Sequence, residues 1–198
     1  MGVKKKAEIF LPFLQFKKES VMNYADIKQI DVANGPGIRV SLFVSGCTHH
    51  CKGCFNQETW DFQFGELFGE KEIDTIIEYM APGHIKGLSL LGGEPFEYTN
   101  QQGILPLLRK VKEIYPNKDI WCWSGYLFDK DIRDNMMVKW PETREMIKYI
   151  DFLVDGEFEI DKKNLSLRFR GSSNQRIIDV KKSLETDDVV LWDQPDRI

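Results

Sequence analysis

Three cysteines, Cys47, Cys51 and Cys54, fall within one short run, Cys-Thr-His-His-Cys-Lys-Gly-Cys. Thiolates spaced so closely form a soft ligand set, and soft ligands select iron–sulfur clusters, zinc or Cu(I). A 4Fe–4S cluster takes four ligands, and this run supplies three thiolates. One iron would therefore stay open to something other than protein, which makes the site a place for chemistry. Zinc is the competing reading, since His49 or His50 offers a fourth ligand. Structural zinc sites usually join two separated ligand pairs, however, and no second Cys-x-x-Cys or His pair occurs in the sequence. A disulfide framework would leave one of the three clustered thiols unpaired. The remaining cysteine, Cys122, lies in the alternating stretch Asp119-Ile-Trp-Cys-Trp-Ser124 and reads as a small buried hydrophobe.

Strand-like and helix-like patterns alternate from Tyr24 onward. Ile38, Val40, Leu42 and Val44 alternate with Arg39, Ser41 and Phe43, a period-two strand that runs straight into the cysteines. Ile73, Ile76, Ile77 and Met80 form one helical face within Lys71–Ala81, and Ile104, Leu107, Leu108, Val111 and Ile114 form another. Between them Gly87-Leu-Ser-Leu-Leu91 reads as a buried strand stopped by Gly92-Gly93-Glu94-Pro95. A strand at Ile120–Ser124, a helix around Pro141–Lys148 and a strand at Ile150–Val154 follow. Strands alternating with helices imply βαβ units and a mostly parallel sheet, and ligands gather beyond the carboxyl ends of such strands. The cysteine loop, Gly92-Gly93-Glu94 and Ser124-Gly125-Tyr126 all follow strand ends, so the pattern puts them beside one pocket. His84, in Ala81-Pro-Gly-His84, reads as ordinary loop.

The 198 residues suit one domain that buries roughly 70% of its unfolded surface. A net charge of −4 gives no general attraction to nucleic acid or to anionic membranes. Four cysteines without pairing logic suggest a reducing, cytoplasmic setting. Near the start, Lys4-Lys5-Lys6 precedes the apolar run Ile9–Phe16, but Pro12 interrupts that run and no small-residue cleavage site follows. It is also far shorter than the ~20 residues a membrane-spanning helix needs. Residues 1–21 are expected to be a loosely ordered extension, and 22–198 a single domain.

The ordered motifs resemble a known family. Cys47-x-x-x-Cys51-x-x-Cys54 followed by Gly92-Gly-Glu-Pro95 resembles the radical S-adenosylmethionine enzymes. Gly35-Pro-Gly-Ile-Arg39 is similar to the glycyl-radical-enzyme activases within that superfamily. Phe43-Val-Ser-Gly-Cys47, Trp121-Cys-Trp-Ser-Gly-Tyr126, Leu153-Val-Asp-Gly156 and Phe169-Arg-Gly-Ser-Ser-Asn-Gln-Arg176 narrow the resemblance to the anaerobic ribonucleoside-triphosphate reductase activating proteins. It covers about residues 22–180.

The resemblance implies a shortened, open (βα)6-type partial barrel. It implies a 4Fe–4S cluster on Cys47, Cys51 and Cys54, whose open iron chelates S-adenosylmethionine. Reductive cleavage of that cofactor would release a 5′-deoxyadenosyl radical, which abstracts a glycine Cα hydrogen from the reductase. Gly92 and Gly93 would let backbone approach the methionine moiety, Glu94 would accept from its ammonium group, and Ser124 and Gly125 would complete the pocket. Many superfamily members carry an aromatic residue just before the third cysteine; this chain has Gly53 there and Phe55 after it, which leaves the adenine contact to Gly53, Cys54 and Phe55 or to other residues. His49 and His50 are either cluster-tuning groups or loop residues near the mouth. Asp155, Arg170, Ser172, Ser173 and Asn174 would guide the partner's glycine loop or the cofactor. An electron donor such as flavodoxin is implied. The alternatives are an activase of another glycyl radical enzyme, such as pyruvate formate-lyase, and a non-catalytic zinc-binding interaction module.

Overall fold

The computed structural model describes residues 22–193, so the basic and apolar segment within residues 1–21, with the extension expected there, and residues 194–198 lie outside it. Strand β1 (Met22–Asp31) turns through Gly35 and Gly37, both in left-handed backbone, into β2 (Ile38–Val44). Then come β3 (Glu66–Phe68), α1 (Glu70–Met80), β4 (Ile85–Gly92), α2 (Tyr98–Ile114) and β5 (Asp119–Trp123). A widened helical segment, Phe128–Met136, leads into the short helices α3 (Met137–Lys139) and α4 (Pro141–Met146). β6 (Phe152–Asp155), β7 (Arg176–Asp179) and α5 (Val180–Thr186) complete the fold.

The strands form one mixed seven-stranded sheet in the order β3-β1-β2-β4-β5-β6-β7. β2, β4, β5 and β6 run parallel, β1 is antiparallel to both β2 and β3, and β7 is antiparallel to β6. The parallel block is thus smaller than six βα repeats would give. The reason lies in the connections: the turn between β1 and β2 is too short for a crossover helix, and residues 156–175 join β6 to β7 without one. The four parallel strands nevertheless present their carboxyl ends together. The register sets Val44 beside Gly92, and Trp123 beside Val154.

The pleat divides the sheet's two faces. Val40, Leu42 and Val44 of β2, Leu88 and Leu90 of β4, and Ile120 and Cys122 of β5 pack with Ile73, Ile76 and Met80 of α1 and Ile104, Leu107 and Leu108 of α2. The opposite face carries a second cluster, in which Trp121 meets Trp123, Phe152, Phe169 and Trp192 at ring separations of 5.0 to 5.8 Å. Arg39 lies fully buried beside this aromatic group. A buried guanidinium needs a counter-charge and hydrogen-bond partners. Arg39 finds them in Asp119 (Nη1 to Oδ1, 2.6 Å), Ser89 Oγ (2.7 Å) and the Leu88 carbonyl (2.8 Å), which cross-links β2, β4 and β5. No helix among the described residues is long and apolar enough to cross a membrane.

Candidate metal centre and cofactor cavity

The cysteine loop begins where β2 ends, and its backbone is tied down on both sides. Gly46, in left-handed backbone, donates to the Thr59 carbonyl at 2.8 Å, and Cys47 N–H donates to the Trp60 carbonyl at 3.2 Å. A tight turn closes between Cys51 and Cys54, with Cys54 N–H bonded to the Cys51 carbonyl at 3.1 Å and Gly53 at φ +75°. The backbone N–H of Asn56 points at Cys54 Sγ from 3.4 Å. Cys47 is buried and Cys51 and Cys54 half-buried; all four cysteines are free thiols. Burial pushes the Cys47 thiol up to about 12, and burial also raises that of Cys51. Ligation by a cation would supply the charge that makes these thiolates stable, releasing protons as it does so. Among the described residues no three His, Cys, Asp or Glu side chains converge tightly enough to hold one metal ion. The three thiols line one cavity. Three thiols on one cavity wall and a backbone N–H aimed at one of the sulfurs fit an iron–sulfur cluster.

Gly92 and Gly93 follow directly at the end of β4. A Cβ on Gly92, which has φ +105°, would meet the Val44 carbonyl oxygen at 2.7 Å, and one on Gly93 would meet the Gly46 carbonyl oxygen at 2.5 Å. Both glycines are therefore required by the close packing of this loop on the cysteine loop, whatever else they contact. Gly93 N–H donates to the Val44 carbonyl at 2.7 Å, and Glu94 N–H to the Gly46 carbonyl at 2.8 Å. Only 1% of Glu94 is exposed, and its carboxylate is heavily engaged. Oε1 accepts from Phe96 N–H (2.8 Å) and Ser124 Oγ (2.9 Å), and Oε2 accepts from Gly125 N–H (2.7 Å). The bond from Phe96 lies just ahead of α2, while the other two reach the loop after β5.

His49 completes this cross-link. Its Nε2 lies 3.2 Å from Glu94 Oε2, at ion-pair distance without hydrogen-bond alignment, and its Nδ1 is 2.9 Å from Glu157 Oε1. Burial opposes charge on the imidazole, but the Glu94 and Glu157 carboxylates outweigh it and hold its pKa at about 9. The ring packs edge-on against Tyr126. His50 instead stacks on Trp60 with ring centres 4.7 Å apart, at the side of the loop.

Cys47, Cys51, Cys54, Phe55, Gly92, Gly93, Glu94, Ser124 and Gly125 line a single cavity of about 490 Å³. That volume lies in the range of small-molecule and cofactor sites. Gly53 is exposed and is not among the residues that line the cavity; a Cβ there would meet Ile160 Cδ1 at 3.0 Å. The late residues divide. Arg170 lines the cavity and donates to the Gln175 carbonyl at 2.8 Å. Asp155 is fully buried, accepting from Phe128 N–H (2.8 Å) and from Arg176 Nε (2.9 Å), and so joins β6, β7 and the widened helix. Ser172 is buried and accepts from Glu159 N–H; Ser173 is exposed, and its N–H donates to the Lys162 carbonyl. Asn174 donates to the Glu157 carbonyl at 2.8 Å.

Two site residues escape sequence reasoning. Asn100, on the buried side of α2, donates from Nδ2 to the carbonyls of Ser45 (3.0 Å), Gly46 (3.3 Å) and Glu94 (2.9 Å). Glu97 accepts from both the N–H and the hydroxyl of Thr48, at 3.0 and 2.5 Å. The available signal was a cluster of amides, Asn100-Gln101-Gln102, in the first turn of an amphipathic helix.

Sequence comparison places this architecture in a class. Residues 33–178 match a protein-family model described as a 4Fe-4S single cluster domain. The chain is 44% identical to the anaerobic ribonucleoside-triphosphate reductase-activating protein of Haemophilus influenzae over 158 residues, spanning 79% of this chain and 97% of that protein. It is 42% identical to the protein of the same name from Enterobacteria phage T4, over 79% of this chain and 93% of the relative. The Escherichia coli K12 protein of that name is likewise 42% identical, over 78% and 96% of the two chains. The chain belongs to the family of anaerobic ribonucleoside-triphosphate reductase-activating proteins.

Proposed function

We propose that this protein activates an anaerobic ribonucleoside-triphosphate reductase by installing a glycyl radical on it. One observation carries the reading: the three cysteines and both loops expected to hold S-adenosylmethionine line the same cavity. The names of the relatives supply the target. Cys47, Cys51 and Cys54 would hold a 4Fe–4S cluster, which supplies the electron that cleaves S-adenosylmethionine and so starts hydrogen abstraction from the partner's glycine. In this reading the sheet is the shortened, open partial barrel of radical S-adenosylmethionine enzymes, and a protein such as flavodoxin in a reducing cytoplasm provides the electron.

The chain's own residues bind and orient. Glu94 is a buried carboxylate in the wall of the cavity that the cysteines line, and its contact with His49 is the least aligned of its four. An incoming ammonium group would take that position, while Ser124 Oγ and Gly125 N–H keep the carboxylate in place. The backbone bonds of Gly46, Cys47 and Glu94 fix the cysteine and glutamate loops as one unit, which is the preorganisation such a site needs.

The test is anaerobic. Iron- and sulfide-reconstituted protein, mixed with a reductant, S-adenosylmethionine and the reductase, should release methionine and 5′-deoxyadenosine. It should also give a glycyl radical doublet in the electron paramagnetic resonance spectrum. A reductase whose target glycine is replaced by alanine should give no doublet. A doublet formed only on pyruvate formate-lyase would move the assignment to another activase, and stoichiometric zinc without iron would end it.

A further inference from the structure

The segment between β6 and β7 is an arm with more internal bracing than a connecting loop needs. Lys163 and Ser172 form an antiparallel bridge, and Asn164 N–H donates to the Gly171 carbonyl at 3.2 Å. Gln175 locks its base: Oε1 accepts from Gly171 N–H at 2.8 Å and Nε2 donates to the Gly156 carbonyl at 2.9 Å. Phe169 is held in left-handed backbone (φ 58°), an unfavourable state for an aromatic residue. Trp123 Nε1 donates to its carbonyl at 2.7 Å and so holds that bend in place. Strain maintained by surrounding structure marks segments with a task. The braced arm carries Leu165 at its tip, 86% exposed yet lining the cavity together with Phe55. Phe55 packs on Phe158 at 5.1 Å between ring centres, and Lys163 Nζ sits 4.8 Å above the Phe55 ring.

We infer that Leu165 and Phe55 are the two lips of a docking cleft for the glycine-bearing segment of the reductase, and that this arm decides which protein is accepted. The inference rests on the activase reading and deepens it. A reacting glycine has no side chain by which to be recognised, so selection must fall on its neighbours in sequence. The lips are apolar and line the same cavity as Cys54, the cavity the glycine must reach. They therefore fit an extended segment with an apolar side chain next to the glycine. Lys163 adds positive charge at the same lip and fits a carboxylate further along that segment.

Leu165→Asp tests this, because an 86% exposed side chain can be changed without unfolding the chain. With wild-type reductase, Leu165→Asp should raise the KM for glycyl radical formation about tenfold or more. It should weaken direct binding of the reductase, measured by interferometry, in parallel, and leave the calorimetric affinity for S-adenosylmethionine within about twofold. Leu165→Met, which keeps the apolar lip, should behave as wild type. An unchanged KM in Leu165→Asp, or a fall in kcat alone, would overturn the docking role while leaving the activase reading intact. Failure of the wild-type protein to form any radical on the reductase would remove both.

Discussion

The Asn100 side chain donates to the Glu94 carbonyl at 2.9 Å, joining a helix position to the loop that turns toward the cysteines. The same nitrogen lies within 3.3 Å of the carbonyls of Ser45 and Gly46. One amide thus holds the two halves of the cavity wall together. Asn100→Ala would leave buried carbonyls short of a donor and should cost about 1–3 kcal/mol. A melting temperature several degrees lower and reduced iron uptake should follow. A variant as stable as wild type would show that the backbone bonds alone suffice.

Replacing Cys47, Cys51 or Cys54 by alanine should each reduce bound iron well below the about four per chain of an intact cluster. Cys122→Ala should keep the iron, because burial among α2 and β5 side chains holds that thiol protonated at neutral pH. Iron and sulfide assays on the four variants decide the matter. Loss of the cluster on changing Cys122 but not Cys51 would reverse the assignment.

Gly93→Ala should destabilise the protein even before any cofactor is added. Its Cβ would lie 2.5 Å from the Gly46 carbonyl oxygen and 3.0 Å from that of Thr59, and both are backbone atoms. Overpacking of this kind costs about 1–3 kcal/mol. Thermal unfolding of the metal-free chain is the measurement. An unchanged melting temperature accompanied by lost cofactor affinity would place the need for glycine in the cofactor instead.

Asp31 gives a pH dependence. Burial acts to raise its pKa, but hydrogen bonds from Asn34, Ser41 and Ala33, at 2.6, 2.6 and 2.8 Å, outweigh burial and leave it below the ordinary carboxylate value. A folded-state pKa below the unfolded one contributes stability that is complete above the unfolded value of about 4 and is lost as pH falls from there through the lower folded-state value. Asp31→Asn should therefore lower the urea midpoint at pH 7, with the gap to wild type narrowing at pH 3. A gap that stays constant would mean the carboxylate's charge contributes nothing.

The parts legible in the sequence were those in which a local pattern matches a local cause. The expected helix Lys71–Ala81 is observed at Glu70–Met80, because its apolar spacing alone defines the face it buries. The alternation in Ile38–Val44 likewise locates β2, and the carboxyl-end rule brings the three loops to one cavity. β7 was not legible: four residues, Arg176–Asp179, are too few to show a period, and their pairing depends on β6. The resemblance has Asp155 guide the partner's loop or the cofactor, but a carboxylate after a strand looks the same in sequence whether it meets a ligand, solvent or Arg176. Only the antiparallel return of β7 brings that arginine within reach. The fixing of Glu94 from β5 and the bracing by Asn100 depend in the same way on contacts between distant segments.

Of the five tryptophans in the chain, three, Trp121, Trp123 and Trp192, pack in the aromatic group on the open face of the sheet. Trp123 also lines the cavity and bonds to the Phe169 carbonyl at the base of the arm. The protein therefore carries its own optical gauge. Light absorbed by these indoles is emitted beside both the metal-binding wall and the docking arm, so a cluster that quenches emission, or a partner that shifts Phe169, registers in native fluorescence without an added label.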